Sequence, residues 1–198
     1  EMVPAYKEED KIDPGSDTET FIAARLMIDN WRWQDVPFYV RTGKRLPTKL
    51  TEIAITFKSV PYSMFSSSGI DTLPPNVLVL RIQPEEGIQL SFQAKRPGSK
   101  VCMSTLTMDF NYSKIFGTDA PQAYERLLLD CMSGDQTLFT RQDDIEICWG
   151  LVDPILQAKA KGLINYHEYP AGSESFEAAD ELVEADGRKW RKIDQFDS

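Results

Sequence analysis

The chain has 198 residues, 31 acids against 22 bases for a formal charge of −9, and 41% apolar and 27% charged residues. That length suits one sizeable core, or at most two small ones, burying roughly 70% of the unfolded surface, and the composition excludes collagen-like, coiled-coil and wholly disordered chains. A pI near 4.7 disfavours nucleic acid and anionic membranes as partners, since both ask for a basic face.

In chain order, residues 1–17 are polar, carry Pro4, Pro14 and Gly15, and read as an inbound connector. Thr20 to Ile28 is apolar and rich in aromatic and β-branched side chains, which favours a strand. Pro37 to Arg41 is a second short strand, ending at Gly43. Glu52 to Lys58 alternates, placing Ile53, Ile55 and Phe57 on one face of a half-buried strand. Residues 64–75 are a Ser/Gly/Pro loop. Val77 to Gln83 then opens a hairpin that turns at Pro84-Glu85-Glu86-Gly87 and returns through Ile88 to Gln93. A further strand carries Leu106, Met108, Phe110 and Tyr112 on one side and Thr105, Thr107, Asp109 and Asn111 on the other.

After Gly117 the period changes. Asp119 caps a helix with Pro121 in its first turn, Ala123, Tyr124, Leu127, Leu128 and Cys131 recur at helical spacing, and Gly134 ends it. A second helix is expected from Thr140, with Asp143 at capping-box spacing, through Ile147, Trp149 and Leu151 to Gly162, kinked at Pro154. A third spans about Ser175 to Asp186, closed by Gly187. Strands followed by helices define the α+β class.

The net charge hides a gradient: residues 1–20 sum to −5, residues 21–118 to +5 and residues 119–198 to −9. Positive charge gathered in the middle of an acidic chain suits a small anionic ligand better than an anionic polymer. The three cysteines, Cys102, Cys131 and Cys148, are odd in number and widely spaced. With no apolar run of membrane length and no signal-peptide core in the first twenty residues, a reduced, cytoplasmic setting is expected. The cysteines form no C-x-x-C pair, and the single histidine, His167, completes no zinc set with them, so no metal site is expected.

Chemistry is sparse. No G-x-G-x-x-G joins a strand to a helix, and Gly43-Lys44 is no P-loop, because Phe38 stands where the first glycine belongs and Arg45 where the Ser/Thr belongs. His167, in Tyr166-His167-Glu168-Tyr169, reads as a surface or packing residue. The pairs Glu85-Glu86 and Asp143-Asp144 fall in a turn and at a helix start, where solvation and the helix dipole account for them. What remains is Arg41-Thr42-Gly43-Lys44-Arg45-Leu46-Pro47-Thr48-Lys49, four bases in nine residues after a strand. Gly43 permits a tight turn and Pro47 stiffens the return, so that Lys44 and Lys49 can converge on one small polyanionic ligand. A merely solvated basic loop is the plainer reading of the same residues.

Three segments in order, Trp33–Lys44 (WQDVPFYVRTGK), Leu78–Pro84 (LVLRIQP) and Pro121–Asp130 (PQAYERLLLD), resemble the C-terminal domain of glucose-6-phosphate dehydrogenase. The resemblance implies a large, mainly antiparallel sheet with helices packed on one face, the other face pairing with a second subunit as a homodimer. It implies that residues 1–198 are the C-terminal substrate-binding and oligomerisation domain of a longer enzyme, whose N-terminal Rossmann domain is absent from the chain. That enzyme would oxidise the C1 hydroxyl of glucose 6-phosphate to 6-phosphogluconolactone, with hydride transfer to NADP held by the missing domain. By motif matching, Lys44 and Lys49 would contact the sugar phosphate and Gln83 would reach the substrate edge. The family's catalytic histidine has no counterpart here, so no catalytic residue is assigned and the fragment alone is expected to be inactive.

Some members of the family hold a second, structural NADP on this domain. Arg41, Arg81, Asp109 and Trp190 match that set, whereas Leu50, Ala54, Gln89 and Ser91 replace its lysine, arginine, tyrosine and second lysine. No cofactor is therefore expected on the fragment. Ser173 to Phe176 departs from the family pattern and has no assigned role. The rival reading is a non-catalytic anion-binding or scaffold module that retains the fold. Nucleic-acid binding through Arg41 to Lys49 lacks both a basic domain and aromatics placed for stacking.

Overall fold

The computed structural model describes residues 3–63, 65–66, 69–99, 101–117 and 123–193. The strands are β1 (Phe21–Leu26), β2 (Phe38–Gly43), β3 (Thr51–Thr56), β4 (Val77–Gln83), β5 (Gly87–Lys95) and β6 (Met103–Asn111). The α-helices are α1 (Tyr112–Phe116), α2 (Ala123–Ser133), α3 (Gln142–Ala160) and α4 (Glu177–Glu184), and a short 3-10 turn covers Tyr6–Glu8. Antiparallel strands precede most of the helices, which is the α+β class. The chain divides into two compact units, Glu1–Leu50 with His167–Ser198, and Thr51–Tyr166.

In the first unit β1 and β2 pair antiparallel, from Phe21 opposite Gly43 to Leu26 opposite Phe38. Helix α4 packs on β1. Its Ala179 and Val183, one turn apart on a single face, are each only 2% exposed. Burying a valine this fully contributes about 1.5–3 kcal/mol. The indole Nε1 of Trp190 donates to the Ala179 carbonyl at 2.8 Å, which pins the residues after α4 back onto the helix. Helix α4 is shorter at both ends than its sequence pattern suggests: Phe176 occupies its N-cap without a side-chain hydrogen bond, and Gly187 follows the C-cap at φ 69°.

In the second unit the order is β3-β4-β5-β6, antiparallel throughout. The hairpin expected at 84–87 is present, with Arg81 opposite Gly87. Gly87 is required by close approach: a Cβ there would lie 2.6 Å from the Phe110 carbonyl oxygen and 2.8 Å from Arg81 Nη2. The register sorts the side chains by face. Ile53, Leu80, Ile88 and Phe110 fall in one cross-strand row, and Ile55, Leu78, Leu90 and Met108 in the next, so one face is apolar. The other face carries Gln89 opposite Asp109, and Ser91 opposite Thr107 with their hydroxyls 3.3 Å apart.

Strand β3 is not half-buried as its alternation predicts. Ile53, Ile55 and Phe57 are all exposed, because β3 is the edge strand and the apolar face it belongs to lies open within this chain. Tyr112, expected on the β6 face, instead opens α1. The Asn111 side chain accepts from the Lys114 amide at 3.1 Å and from the Ser113 hydroxyl at 2.8 Å, an N-cap that ends the strand one residue early.

The expected cap of α2, Asp119 with Pro121, lies outside the described residues, while Gly134 ends that helix at φ 73°. Thr140 does not cap α3. Arg141 is the N-cap, and its guanidinium forks onto Asp143 at 2.9 and 2.6 Å, engaging the carboxylate that a capping box would need. Pro154 lies inside α3, which continues to Ala160. No helix among the described residues is long and apolar enough to cross a membrane.

Candidate functional site

The basic loop leaves β2 at Gly43, where Phe21 of β1 lies directly opposite. A Cβ at Gly43 would come within 2.6 Å of the Phe21 ring, so glycine is what lets the two strands close here. The Phe21 ring is itself packed by Phe176 and Tyr169, with centroids at 4.9 and 5.2 Å. These aromatic contacts seat the Tyr169 ring so that its hydroxyl oxygen lies 2.9 Å from the carbonyl oxygens of both Thr20 and Lys44, its one proton shared between them.

Lys44 is thereby held on both sides of its own backbone. Its amide donates to the Thr20 carbonyl at 2.8 Å and its carbonyl accepts from Tyr169. The next carbonyl, of Arg45, accepts from the Gly172 amide at 2.8 Å. Arg45 sits at φ 49°, in the left-handed region, and its Nε donates to Glu9 Oε1 at 2.8 Å. The loop backbone is therefore fixed while its lysine side chains point to solvent. Lys44 and Lys49 are both exposed, and among the described residues neither ammonium has a carboxylate partner. An unpaired ammonium on an anchored backbone is suited to a charge-assisted contact with an incoming anion.

Gln83, the third residue singled out from the sequence, is the exposed last residue of β4, in the second unit. The residues matching a structural NADP set fall into two pairs, each engaged within its own unit. Arg41 lies over Trp190, 4.9 Å from the ring centroid, and donates to the carbonyls of Glu174 at 3.1 Å and Arg191 at 3.0 Å. Arg81, almost wholly buried, pairs with Asp109. Ser173 to Phe176, to which the family resemblance assigns no role, supplies the Glu174 carbonyl for Arg41 and the Phe176 ring for Phe21. His167 is exposed, with its ring 6.1 Å from that of Phe176.

Toward the far end of the β1–β2 pair from the loop, Asp186 binds Arg25 and Tyr39 together: Arg25 Nη1 is 2.8 and 2.9 Å from its two carboxylate oxygens, and the Tyr39 hydroxyl donates to one of them. The Tyr39 hydroxyl first and Arg25 second hold the Asp186 carboxyl below the usual carboxylate range. Loss of solvent around its ring first, and the bond to Asp186 second, push the Tyr39 phenol up. Tyr169, Gly172, Glu9 and Asp186 had no assigned part in the sequence reading. Their partners are up to 161 residues away, and only the Tyr-Pro-Ala-Gly run at 169–172 signals a turn able to brace something. Among the described residues no cluster of His, Cys, Asp or Glu is arranged to hold a metal ion.

Antiparallel sheets, late helices and a braced basic loop define an α+β domain built to present cations, with no parallel nucleotide-binding sheet among its described residues. Residues 1–191 match the family model described as glucose-6-phosphate dehydrogenase, C-terminal domain, and the chain belongs to that family. It is 48% identical over 192 residues to the glucose-6-phosphate 1-dehydrogenase of Aggregatibacter actinomycetemcomitans, a match spanning 97% of this chain and 38% of that one. It is 47% identical over 189 residues to that of Treponema pallidum (strain Nichols), spanning 95% and 37%. Among solved structures, one described as glucose-6-phosphate dehydrogenase in complex with its substrate glucose-6-phosphate superposes with a TM-score of 0.83 at 34% identity, covering 96% of this chain and 38% of the other. The glucose-6-phosphate 1-dehydrogenase from Mycobacterium avium gives 0.80 at 36% identity, covering 96% and 39%. The chain thus spans less than two-fifths of the length of the two relatives above.

Proposed function

We propose that this chain is the substrate-side, C-terminal part of an NADP-dependent glucose-6-phosphate dehydrogenase, which oxidises the C1 hydroxyl of glucose 6-phosphate to the lactone. The observation that carries the reading is the Lys44 loop: an exposed ammonium on an anchored backbone, in a chain that superposes on a dehydrogenase described in complex with this sugar phosphate. In this reading Lys44 and Lys49 meet the phosphate dianion. Oxidation at C1 releases a hydride to NADP and a proton from the hydroxyl. The group that takes the proton and the site that holds the NADP belong to an N-terminal Rossmann domain outside this chain.

A structural NADP does not fit these residues. Arg41 is stacked on Trp190 and bonded to two carbonyls, Arg81 is committed to Asp109, and uncharged Leu50, Ala54, Gln89 and Ser91 stand where further phosphate ligands and a stacking ring are needed. The open apolar sheet face and the exposed apolar residues of α3 favour a longer parent chain that covers them. The opposite face of the same sheet, where Ala54 and Val79 share a row with Gln89 and Asp109, is the one we assign to a second subunit. Three free, exposed cysteines favour a reducing, cytoplasmic location.

The reading is tested by Lys44→Ala and Lys49→Ala in the full-length parent. Each should raise KM for glucose 6-phosphate at least tenfold more than KM for NADP, on the order expected for a lost charge-assisted contact. Equal effects on both substrates would remove these lysines from the sugar-phosphate site.

A further inference from the structure

We propose that Tyr169 is a positioning residue for Lys44, acting on substrate affinity through a hydrogen bond to the lysine's own carbonyl. This rests on the reading that Lys44 meets the sugar phosphate. A lysine carries its charge on a flexible four-carbon stem, so the protein limits where the ammonium can go chiefly by fixing the backbone from which the stem departs. Here that backbone is anchored at the Lys44 amide, the Lys44 carbonyl and the Arg45 carbonyl, and the middle anchor is a side chain.

The aromatic packing shows why a tyrosine serves there. Gly43 leaves room for the Phe21 ring, and the rings of Phe21 and Phe176 pack against that of Tyr169, with centroids at 5.2 and 6.0 Å. The ring therefore arrives at the loop in one place, with its hydroxyl between two carbonyls. Removing the hydroxyl does not affect the two carbonyls equally. The Thr20 carbonyl keeps the Lys44 amide as a donor at 2.8 Å, whereas the Lys44 carbonyl loses the donor that Tyr169 gives it. The defect in Tyr169→Phe thus falls on the peptide that carries Lys44, while the aromatic packing stays intact.

The test is steady-state kinetics of Tyr169→Phe in the full-length parent, alone and combined with Lys44→Ala. The expected result is a rise of about 3- to 10-fold in KM for glucose 6-phosphate, the size of one lost hydrogen bond, with kcat and KM for NADP within about twofold. In the Lys44→Ala background the same substitution should add nothing, because the two residues act as one unit. An unchanged KM in Tyr169→Phe beside a raised KM in Lys44→Ala sinks the positioning role and leaves the lysine reading intact. An unchanged KM in Lys44→Ala sinks both. A fall in kcat with both KM values raised, or an additive effect in the double variant, would reduce Tyr169 to a structural residue and overturn the proposal.

Discussion

Arg25 and Asp186, 161 residues apart, form a forked ion pair in which one guanidinium nitrogen lies 2.8 and 2.9 Å from the two carboxylate oxygens. The pair joins β1 to the turn after α4, and the Tyr39 hydroxyl on β2 completes it. Because the folded state lowers the Asp186 pKa, the stabilisation is fully present above the ordinary carboxylate value of about 4. It is lost as pH falls through the lower folded value. Asp186→Asn should therefore reduce the thermal midpoint at pH 7 and shrink the loss of stability as pH falls below about 4. Circular-dichroism melts across that range check both effects, and parallel pH profiles for the two proteins would refute the assignment.

Gly87 faces an obstacle of a different kind from Gly43. At Gly43 an added Cβ meets only side-chain carbons, of Phe21 and Leu46 at 2.6 and 3.3 Å, which yield more readily than backbone. At Gly87 it meets a backbone carbonyl at 2.6 Å and both Nη2 and Nε of buried Arg81 at 2.8 and 3.0 Å. Gly87→Ala must shift β6 or dislodge Arg81 from Asp109, at a cost of about 1–3 kcal/mol. Urea unfolding should rank Gly87→Ala below Gly43→Ala and both below the unaltered chain. A neutral Gly87→Ala would show that the β5–β6 pairing is looser than drawn.

Period and punctuation made most of the elements legible, and chemistry was legible only where residues lie close in sequence. The hairpin at 84–87 and the late helices follow from alternation, helical spacing and glycine stops. The α1 turn was missed because its signal is a single asparagine cap at the end of a clean alternating run, where the period of two continues through Tyr112. The false cap at Thr140 had the right spacing, but Arg141 captures Asp143, a competition that spacing does not encode. At the site, Lys44 was visible as part of a charge cluster. Tyr169 was not, since its partners are carbonyls 149 and 125 residues away, and a backbone acceptor leaves no residue-type signature. Burial of β3 was misjudged for a related reason: alternation reports that a face is apolar, not whether this chain contains the surface that covers it.

The isolated chain should be catalytically silent. Two lysine contacts supply on the order of 1.5–3 kcal/mol each, against an association cost of about 4–15 kcal/mol. Glucose 6-phosphate should therefore bind the 198-residue chain more weakly than about 1 mM, if titrated calorimetrically. No NADP reduction should be detectable by absorbance. Measurable turnover by this chain alone would mean that the reacting groups lie within it.

Helix α3 supplies the last prediction. Ile145, Trp149, Val152 and Leu156 form one row along it and Ile147, Leu151 and Ile155 another, together an apolar arc of about 200°, too wide for a single contact. Each of these residues is at least 41% exposed in this chain, and under the proposed function a longer parent would cover both rows. Cys148 lies between the rows and is a free, exposed thiol. In the full-length parent its maleimide labelling should be at least tenfold slower than in the isolated chain, and equally slow at every protein concentration. Equal labelling rates in the two proteins would leave α3 uncovered. Protection that disappears on dilution would instead assign the helix to contact between two copies.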